Sequence, residues 1–116
     1  MYKHTNAIQS TANSAKGIRH GVSGRNFRIL LLVGAITLGA AFWLPLITTE
    51  RMIIILTIGL MLSAELFNSA IEELADVLIQ EHHPGIARVK EMAAGAVLIL
   101  GIAAIIIGLR IFLPYL

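Results

Sequence analysis

Residues 63–76 read Ser-Ala-Glu-Leu-Phe-Asn-Ser-Ala-Ile-Glu-Glu-Leu-Ala-Asp, and this stretch decides how the chain is interpreted. Four polar residues in it follow one another at steps of three, four and four: Glu65, Asn68, Glu72 and Asp76. An α-helix places residues at these steps on one face. The stretch begins inside an apolar segment, where inserting a carboxylate costs about 3 kcal/mol. The pattern predicts either a functional polar face or a buried polar cluster that only fixes helix packing.

The composition indicates a membrane protein of one domain. Hydrophobic residues make up 57% of the 116 residues and charged residues 14%, against roughly 25% charged in an ordinary soluble domain. There is no cysteine, which excludes disulfides, thiol nucleophiles and thiolate metal sites. No acidic residue precedes Glu50, whereas this half carries Lys3, His4 and several further basic residues. Such a leader suits an anionic membrane surface or a polyphosphate; we expect no nucleic-acid partner, because the apolar segments require lipid.

The order of apolar runs and breaks predicts an all-α membrane protein with four helices. Apolar residues at roughly helical spacing form one weakly apolar face and predict a surface helix at about 8–22. The alternative is a flexible basic tail. Apolar runs separated by Pro45 and by Pro84-Gly85 predict transmembrane helices at about 29–47, 52–80 and 88–113. The second of these carries the polar face, and we expect it to leave the membrane near Glu72 and to continue to about residue 80.

Charge asymmetry predicts the orientation. Seven of the nine Lys and Arg residues lie in the N-terminal leader or the 80–91 segment, and the other two are Arg51 and Arg110. The positive-inside rule then places the N-terminus and the 80–91 loop in the cytoplasm. We expect a multi-pass membrane protein without a cleaved signal peptide.

The residues themselves suggest roles for the polar face. Glu65 is a candidate general base, and Asn68 is placed to orient it. Glu72 suits a hard cation such as Mg²⁺, which prefers oxygen ligands. The adjacent side chains of His82 and His83 diverge, which is poor geometry for one metal and is typical of loop residues at an interface.

The sequence resembles the small bacterial diacylglycerol kinase family, which includes the undecaprenol kinases. Two segments carry the likeness: Glu65-Leu66-Phe67-Asn68-Ser69-Ala70-Ile71-Glu72, followed by Asp76, and Lys90-Glu91-Met92-Ala93-Ala94-Gly95-Ala96-Val97-Leu98. It extends to Lys16-Gly17, Asn26-Phe27-Arg28, Trp43-Leu44 and Arg51. The resemblance implies a surface helix and three transmembrane helices in a homotrimer, with active sites between protomers. It also implies transfer of the ATP γ-phosphoryl group to a lipid alcohol with Mg²⁺, in phospholipid or lipid-carrier metabolism.

The resemblance also implies residue roles. Glu65 matches the general base that takes the proton of the lipid hydroxyl, and Asn68 and Asp76 match its polar partners. Glu72 matches a metal-ligand glutamate. The implied ATP contacts are Glu81, His82, His83, Lys90 and Glu91. The implied contacts to the lipid substrate are Arg28, Trp43 and Arg51.

Two departures from the family pattern stand out. Glu91 replaces the usual Asp. A second metal glutamate, expected shortly before Asn26, is absent, because 21–25 reads Gly-Val-Ser-Gly-Arg. We therefore expect weaker metal binding or a lower rate, with Ser23 as a weak substitute. The lipid acceptor is diacylglycerol or undecaprenol, and Phe67 with the segment 93–96 favours undecaprenol. A non-catalytic scaffold of the same fold and an ion pathway built on Glu65 are the alternatives.

Overall fold

The computed structural model describes residues 6–116, and this part of the chain is almost wholly α-helical, with no strand in it. The helices are α1 (Ala7–Val22), α2 (Arg25–Trp43), α3 (Thr48–Leu78) and α4 (Pro84–Phe112), followed by a 3₁₀ turn at Leu113–Tyr115. The expectation of an all-α protein is confirmed. Lys3 and His4 of the basic leader lie outside the described residues.

Helix α1 begins and ends on side-chain hydrogen bonds. The Asn6 side-chain oxygen accepts from the Gln9 backbone N–H at 2.8 Å, which satisfies one of the free donors at a helix start. The Ser23 hydroxyl donates to the His20 carbonyl at the other end. Arg19 and His20 lie in the last turn, where the helix dipole favours positive charge.

The connection between α2 and α3 is held by Arg51. Helix α2 ends at Trp43 rather than near 47, because Pro45 cannot continue it. The Arg51 guanidinium donates from Nε to the Ala41 carbonyl at 2.9 Å and from Nη2 to the Leu44 carbonyl at 3.0 Å. It also lies 5.4 Å from the centre of the Phe42 ring, within cation–π range. Arg51 thus serves the Ala41 carbonyl, for which Pro45 has no N–H to donate, and shares the Leu44 carbonyl with the Leu46 backbone N–H.

Helices α3 and α4 both start four residues before their predicted positions. The Ile47 backbone N–H, just before α3, donates to the Glu50 carboxylate at 3.1 Å. The residue before α4 is His83, whose Nδ1 accepts from the Gly85 N–H at 3.0 Å. Pro84 takes the first position of α4, where its missing N–H costs nothing. Hydrogen bonds at the residues just before each helix set both starts, and the apolar runs used for the prediction do not indicate them.

Helix α3 is the centre of the bundle. Its backbone lies close to those of α1, α2 and α4, whereas within residues 6–116 the backbones of α2 and α4 do not approach each other closely. An apolar groove of about 400 Å³ therefore lies between α2 and α4, with α3 forming part of its wall. The tightest packing is at the Arg51 end of the bundle, in a cluster of four buried residues: Ala41, Leu46, Ile54 and Ile111.

Three of the helices are long and apolar enough to cross a membrane. They are Arg25–Trp43, Thr48–Leu78 and the segment from Pro84 to Tyr115, with mean hydropathies of 1.6, 1.8 and 2.7. Most of their large apolar side chains face outward, as expected where lipid is the solvent. The predicted number of spans is confirmed.

Gly21 marks the closest approach of α1 to α3, and substituting it should loosen this contact. A Cβ at Gly21 would lie 2.5 Å from Cδ1 of Leu66, whereas a Cβ at Gly17 would meet nothing within 4 Å. We expect Gly21→Val to lower the free energy of unfolding by about 1–3 kcal/mol relative to Gly17→Val, because overpacking forces Leu66 to move. Thermal unfolding of both variants in the same detergent measures the difference. Equal melting temperatures would show that this contact contributes nothing.

Candidate active site

The polar face predicted from residues 63–76 exists on α3 and changes from buried to exposed along its length. Glu65 and Asn68 are 6% and 7% exposed, whereas Glu72 and Asp76 are open to solvent. All four lie within about 80° of the helix circumference. Glu65 is about 25 Å along α3 from Thr48. The face therefore joins a deep carboxylate to an accessible one about 10 Å nearer the end of α3.

Asn68 lies between the two carboxylates. Its Nδ2 donates to Oε1 of Glu72 at 3.4 Å, a long contact for a hydrogen bond. Its Oδ1 is buried and has no hydrogen-bond partner among the described residues. The side chains of Asn68 and Ser69 both lie beside the Glu65 carboxylate. Sequence reasoning missed Ser69, although its spacing of four residues from Glu65 could have indicated the contact.

Asp76 at the far end of the face forms an ion pair with α4. The Lys90 Nζ lies 2.5 Å from Oδ1 of Asp76, and both side chains are partly exposed. Exposed pairs of this kind contribute only about 0–1 kcal/mol to stability. The contact instead fixes where the lysine ammonium lies, about 16 Å from Glu65 along the helix.

The loop between α3 and α4 forms a polar cleft of about 240 Å³ beside this ion pair. Four of the five predicted ATP contacts line it, and the fifth, Glu91, is exposed outside it. His83 lines the cleft while its Nδ1 caps α4, so its ring is fixed against the helix start. The residues that line the cleft are Asp76, Ile79, Gln80, Glu81, His82, His83, Ile86, Ala87 and Lys90. Glu65, Asn68 and Glu72 lie outside it.

The three predicted lipid contacts are not brought together. Arg28 lies in the first turns of α2, and Trp43 is the last residue of that helix, about 22 Å away. Trp43 is almost fully exposed, as suits an interfacial aromatic. Arg51 is also at that far end, with its Nε and Nη2 bound to carbonyls of the α2 end. One lipid headgroup cannot touch both ends of α2, so any contacts by these residues are to different parts of a lipid or to different molecules.

The segment that lacks the expected glutamate lies near the polar face. Gly21 approaches Leu66, the neighbour of Glu65. Gly24 is the N-cap of α2, with φ −79° and ψ 138° and no side-chain cap. These angles are open to any L-residue, so the conformation of Gly24 does not require glycine, although a Cβ there would be tight against the Gly21 carbonyl.

The donor set around Glu72 suits Mg²⁺ as a partial site. Within residues 6–116 no group of three or more His, Asp or Glu side chains converges as a metal site. Mg²⁺ is usually held by one or two carboxylates, with waters and substrate phosphates completing its six ligands. The accessible Glu72 carboxylate and the unpartnered Asn68 oxygen are hard oxygen donors of this type, so the residues present fit the ion.

Comparison with known proteins identifies the family of the chain. The family model described as prokaryotic diacylglycerol kinase matches residues 12–112. The chain belongs to the prokaryotic diacylglycerol kinase family. The resemblance inferred from the sequence motifs is thereby confirmed.

The relatives of this chain are named after two different lipid substrates. An undecaprenol kinase of Bacillus subtilis is 44% identical, over 78% of this chain and 73% of its own length. A diacylglycerol kinase of Synechocystis is 34% identical, over 94% of this chain and 67% of its own. The diacylglycerol kinase of Escherichia coli K12 is 32% identical, over 88% and 84%. All three are named as lipid kinases, and they differ in the lipid that the name specifies.

Proposed function

We propose that the protein is a lipid kinase that transfers the γ-phosphoryl group of ATP to the hydroxyl of a membrane lipid alcohol, with Mg²⁺. The observation that carries this is the polar face of α3, where buried Glu65 and accessible Glu72 lie two turns apart on a membrane-spanning helix. A site that brings a lipid hydroxyl to a water-soluble nucleotide must be reachable from both the membrane and the surrounding water. The polar face of α3 has this property, because it runs from a buried carboxylate to an accessible one.

Glu65 acts as the general base. Its carboxylate takes the proton of the lipid hydroxyl as that oxygen forms a bond to the γ-phosphorus, and the bond from phosphorus to the β–γ bridging oxygen breaks to release ADP. Asn68 and Ser69 lie beside Glu65 and hold the carboxylate in place. Burial at 6% exposure excludes water, which would compete as acceptor.

Glu72 would hold Mg²⁺ together with waters and substrate phosphates, and the ion would neutralise phosphate charge. The accessible carboxylate lies on the side of Glu65 that leads toward the loop cleft. Phosphoryl transfer depends mainly on positioning the reactants and neutralising charge. A short row of oxygen ligands on the protein is therefore enough to support the reaction.

ATP enters from the loop cleft. Lys90 supplies a cation for phosphate oxygens, and the polar walls formed by Glu81, His82 and His83 suit the nucleoside. Within one chain, however, Asp76, which binds Lys90, lies about 16 Å along α3 from Glu65. This separation supports a homotrimer in which a neighbouring copy brings the nucleotide cleft closer to the base.

We propose undecaprenol as the first acceptor to test and diacylglycerol as the second. The Bacillus subtilis relative with 44% identity carries the former name. Phe67 is 72% exposed, next to Asn68 and off the polar face, where it would contact a lipid chain. The site lies in the bacterial cytoplasmic membrane, with the N-terminus and the cleft on the cytoplasmic side, where ATP is available.

The decisive experiment measures ATP consumption and lipid phosphorylation by the full chain in mixed micelles. The acceptors are undecaprenol, diacylglycerol and no lipid, each with and without Mg²⁺. Lipid phosphate formed only with acceptor and Mg²⁺ supports the proposal. Absence of turnover with either lipid, in protein of native helix content, would favour the non-catalytic scaffold instead.

Introducing an acidic residue near the polar face should raise the apparent affinity for Mg²⁺. We expect Gly24→Glu to lower the Mg²⁺ concentration for half-maximal rate by about tenfold. The backbone at Gly24 accepts a side chain, although the new Cβ would lie 3.2 Å from the Gly21 carbonyl. Gln9→Glu is the matched control, because it changes the charge by the same amount at an exposed position near the start of α1, away from the polar face. Equal responses of the two variants would indicate a general charge effect and contradict a restored ligand.

A further inference from the structure

Helix α1 has three distinct sides. The apolar side spans about 80° of the helix circumference and carries four residues: Ile8, Ala15, Ile18 and Val22. The next arc, of about 100°, is the basic side and carries Arg19, Lys16 and His20. Gly21 lies on the remaining side and is the one buried residue of α1. The bundle therefore covers the side of Gly21 and leaves the apolar and basic sides open.

The apolar side of α1 is left uncovered by the described part of the chain. Ile8 is 82% exposed and Ile18 is 53% exposed. An amphipathic helix of this kind buries its apolar side in the boundary between headgroups and acyl chains. Arg19 adjoins that side, so its long side chain can reach from the apolar boundary to the lipid headgroups.

The basic side has no anionic partner in the protein. No acidic residue precedes Glu50, and the ion pair within residues 6–116 is that of Lys90 with Asp76. Arg25 and Arg28, in the first turns of α2, are also exposed and extend the positive charge beyond the end of α1. Such charge is complementary to anionic lipid headgroups. A soluble polyanion would leave the adjoining apolar side uncovered, whereas an anionic bilayer covers both sides.

The third side of α1 connects this surface to the proposed base. A Cβ at Gly21 would lie 2.5 Å from Cδ1 of Leu66 and 3.7 Å from Cδ2 of Phe27, so α1 meets α3 and the start of α2 at this residue. Leu66 directly follows Glu65 in α3. A change in how firmly α1 is held therefore reaches the turn of α3 that carries the base.

We propose that the apolar and basic sides of α1 dock on a bilayer that contains anionic phospholipid, and that this docking holds α1 against Leu66 in the arrangement that supports lipid phosphorylation. The partner is the headgroup of the surrounding lipid and is distinct from the substrate. The inference deepens the proposed kinase function and rests on it for the effect on rate, whereas the docking itself does not depend on catalysis. The kinase then works faster in a negatively charged membrane.

A fluorescent label on α1 tests the docking without any assay of turnover. The chain has no cysteine, so Ile18→Cys places a single label on the apolar side. Gln9→Cys is the matched control, because it places the label about 180° away on the same helix. The full chain is reconstituted in nanodiscs of phosphatidylcholine, with or without a third of phosphatidylglycerol. Quenching by acrylamide measures access from water, and this quencher is neutral, so the charge of the bilayer does not change its local concentration.

We expect phosphatidylglycerol to lower the quenching of the label at Ile18→Cys by at least about twofold and to leave that at Gln9→Cys nearly unchanged. High salt should reverse the effect, because it screens the charge of the headgroups. Quenching at Ile18→Cys that does not respond to phosphatidylglycerol would overturn the proposal.

Charge variants carrying the same label identify the residues responsible. Lys16→Gln combined with Arg19→Gln should abolish the response to phosphatidylglycerol. Arg88→Gln combined with Arg110→Gln is the matched control, because it removes the same charge from exposed positions of α4, and it should keep the response. An equal loss in the two double variants would indicate an effect of net charge and contradict a docking surface on α1.

The rate of lipid phosphorylation in the same nanodiscs tests the link to the base. The wild-type chain should be at least about fivefold faster with phosphatidylglycerol. Lys16→Gln combined with Arg19→Gln should lose this acceleration and keep the rate measured in phosphatidylcholine alone. Equal wild-type rates in the two membranes would overturn the link while leaving the kinase function intact. No lipid phosphate in either membrane, with the quenching as expected, would reject the kinase function and support the docking surface.

Discussion

Glu65→Gln should reduce the rate of lipid phosphorylation by about 10²–10⁴-fold, the range attributed to loss of a general base. Glutamine keeps the volume and the polar contacts of the buried side chain but cannot accept the proton of the lipid hydroxyl. The fall should appear in kcat more than in the KM for ATP, because Glu65 lies outside the loop cleft. Helix content and melting temperature in detergent should stay close to wild type.

Glu73→Gln is the matched control for this experiment. Glu73 belongs to the same helix but points away from the polar face, and its side chain is exposed. Its substitution should leave the rate within about twofold of wild type, as expected for a residue that takes no part in proton transfer. A large loss in both variants would indicate a general effect of helix charge. A small loss in Glu65→Gln would remove Glu65 from the mechanism.

Arg51→Met should destabilise the protein by about 3 kcal/mol or more, because two hydrogen bonds from a charged group are lost and such bonds contribute about 1.5–3 kcal/mol each. Methionine retains the aliphatic length while the carbonyls of Ala41 and Leu44 lose their guanidinium donors. The cation–π contact with Phe42 disappears as well. Thermal unfolding in detergent measures the loss.

Arg110→Met is the control for Arg51, because it removes the same charge from α4, where the side chain is exposed. It should change stability by less than about 0.5 kcal/mol, as is usual at the surface. This comparison also separates two roles for Arg51. A lower melting temperature with an unchanged KM for lipid indicates a helix clamp. An unchanged melting temperature with a raised KM supports the lipid contact that the family resemblance implies.

The polar face of α3 was predictable from sequence because it depends only on the spacing of residues within one helix. A spacing of three and four residues on a long apolar helix fixes which side chains share a face, whatever the neighbours do. Burial of Glu65 and Asn68 also followed, since a charged group at membrane depth needs protein around it. Residue roles, by contrast, came from the family motifs and stay predictions.

The contacts between helices were not predictable in this way. Nothing in the spacing indicates that Arg51 reaches the carbonyls of α2, because that bond depends on the angle imposed by Pro45 and the short connection. The pairing of Lys90 with Asp76 depends in the same way on the loop that joins α3 and α4. The free oxygen of Asn68 is a three-dimensional fact, since a sequence does not show which polar atoms lack a partner.

The separation between the backbones of α2 and α4 has a mechanical consequence. Because only the α3 backbone lies close to both of them within the described residues, a lateral displacement of α2 is transmitted to α4 mainly through α3. The same helix carries Glu65, Asn68 and Glu72. A push on either flanking helix, whether by lipid or by a neighbouring subunit, therefore moves the helix that performs the proposed chemistry.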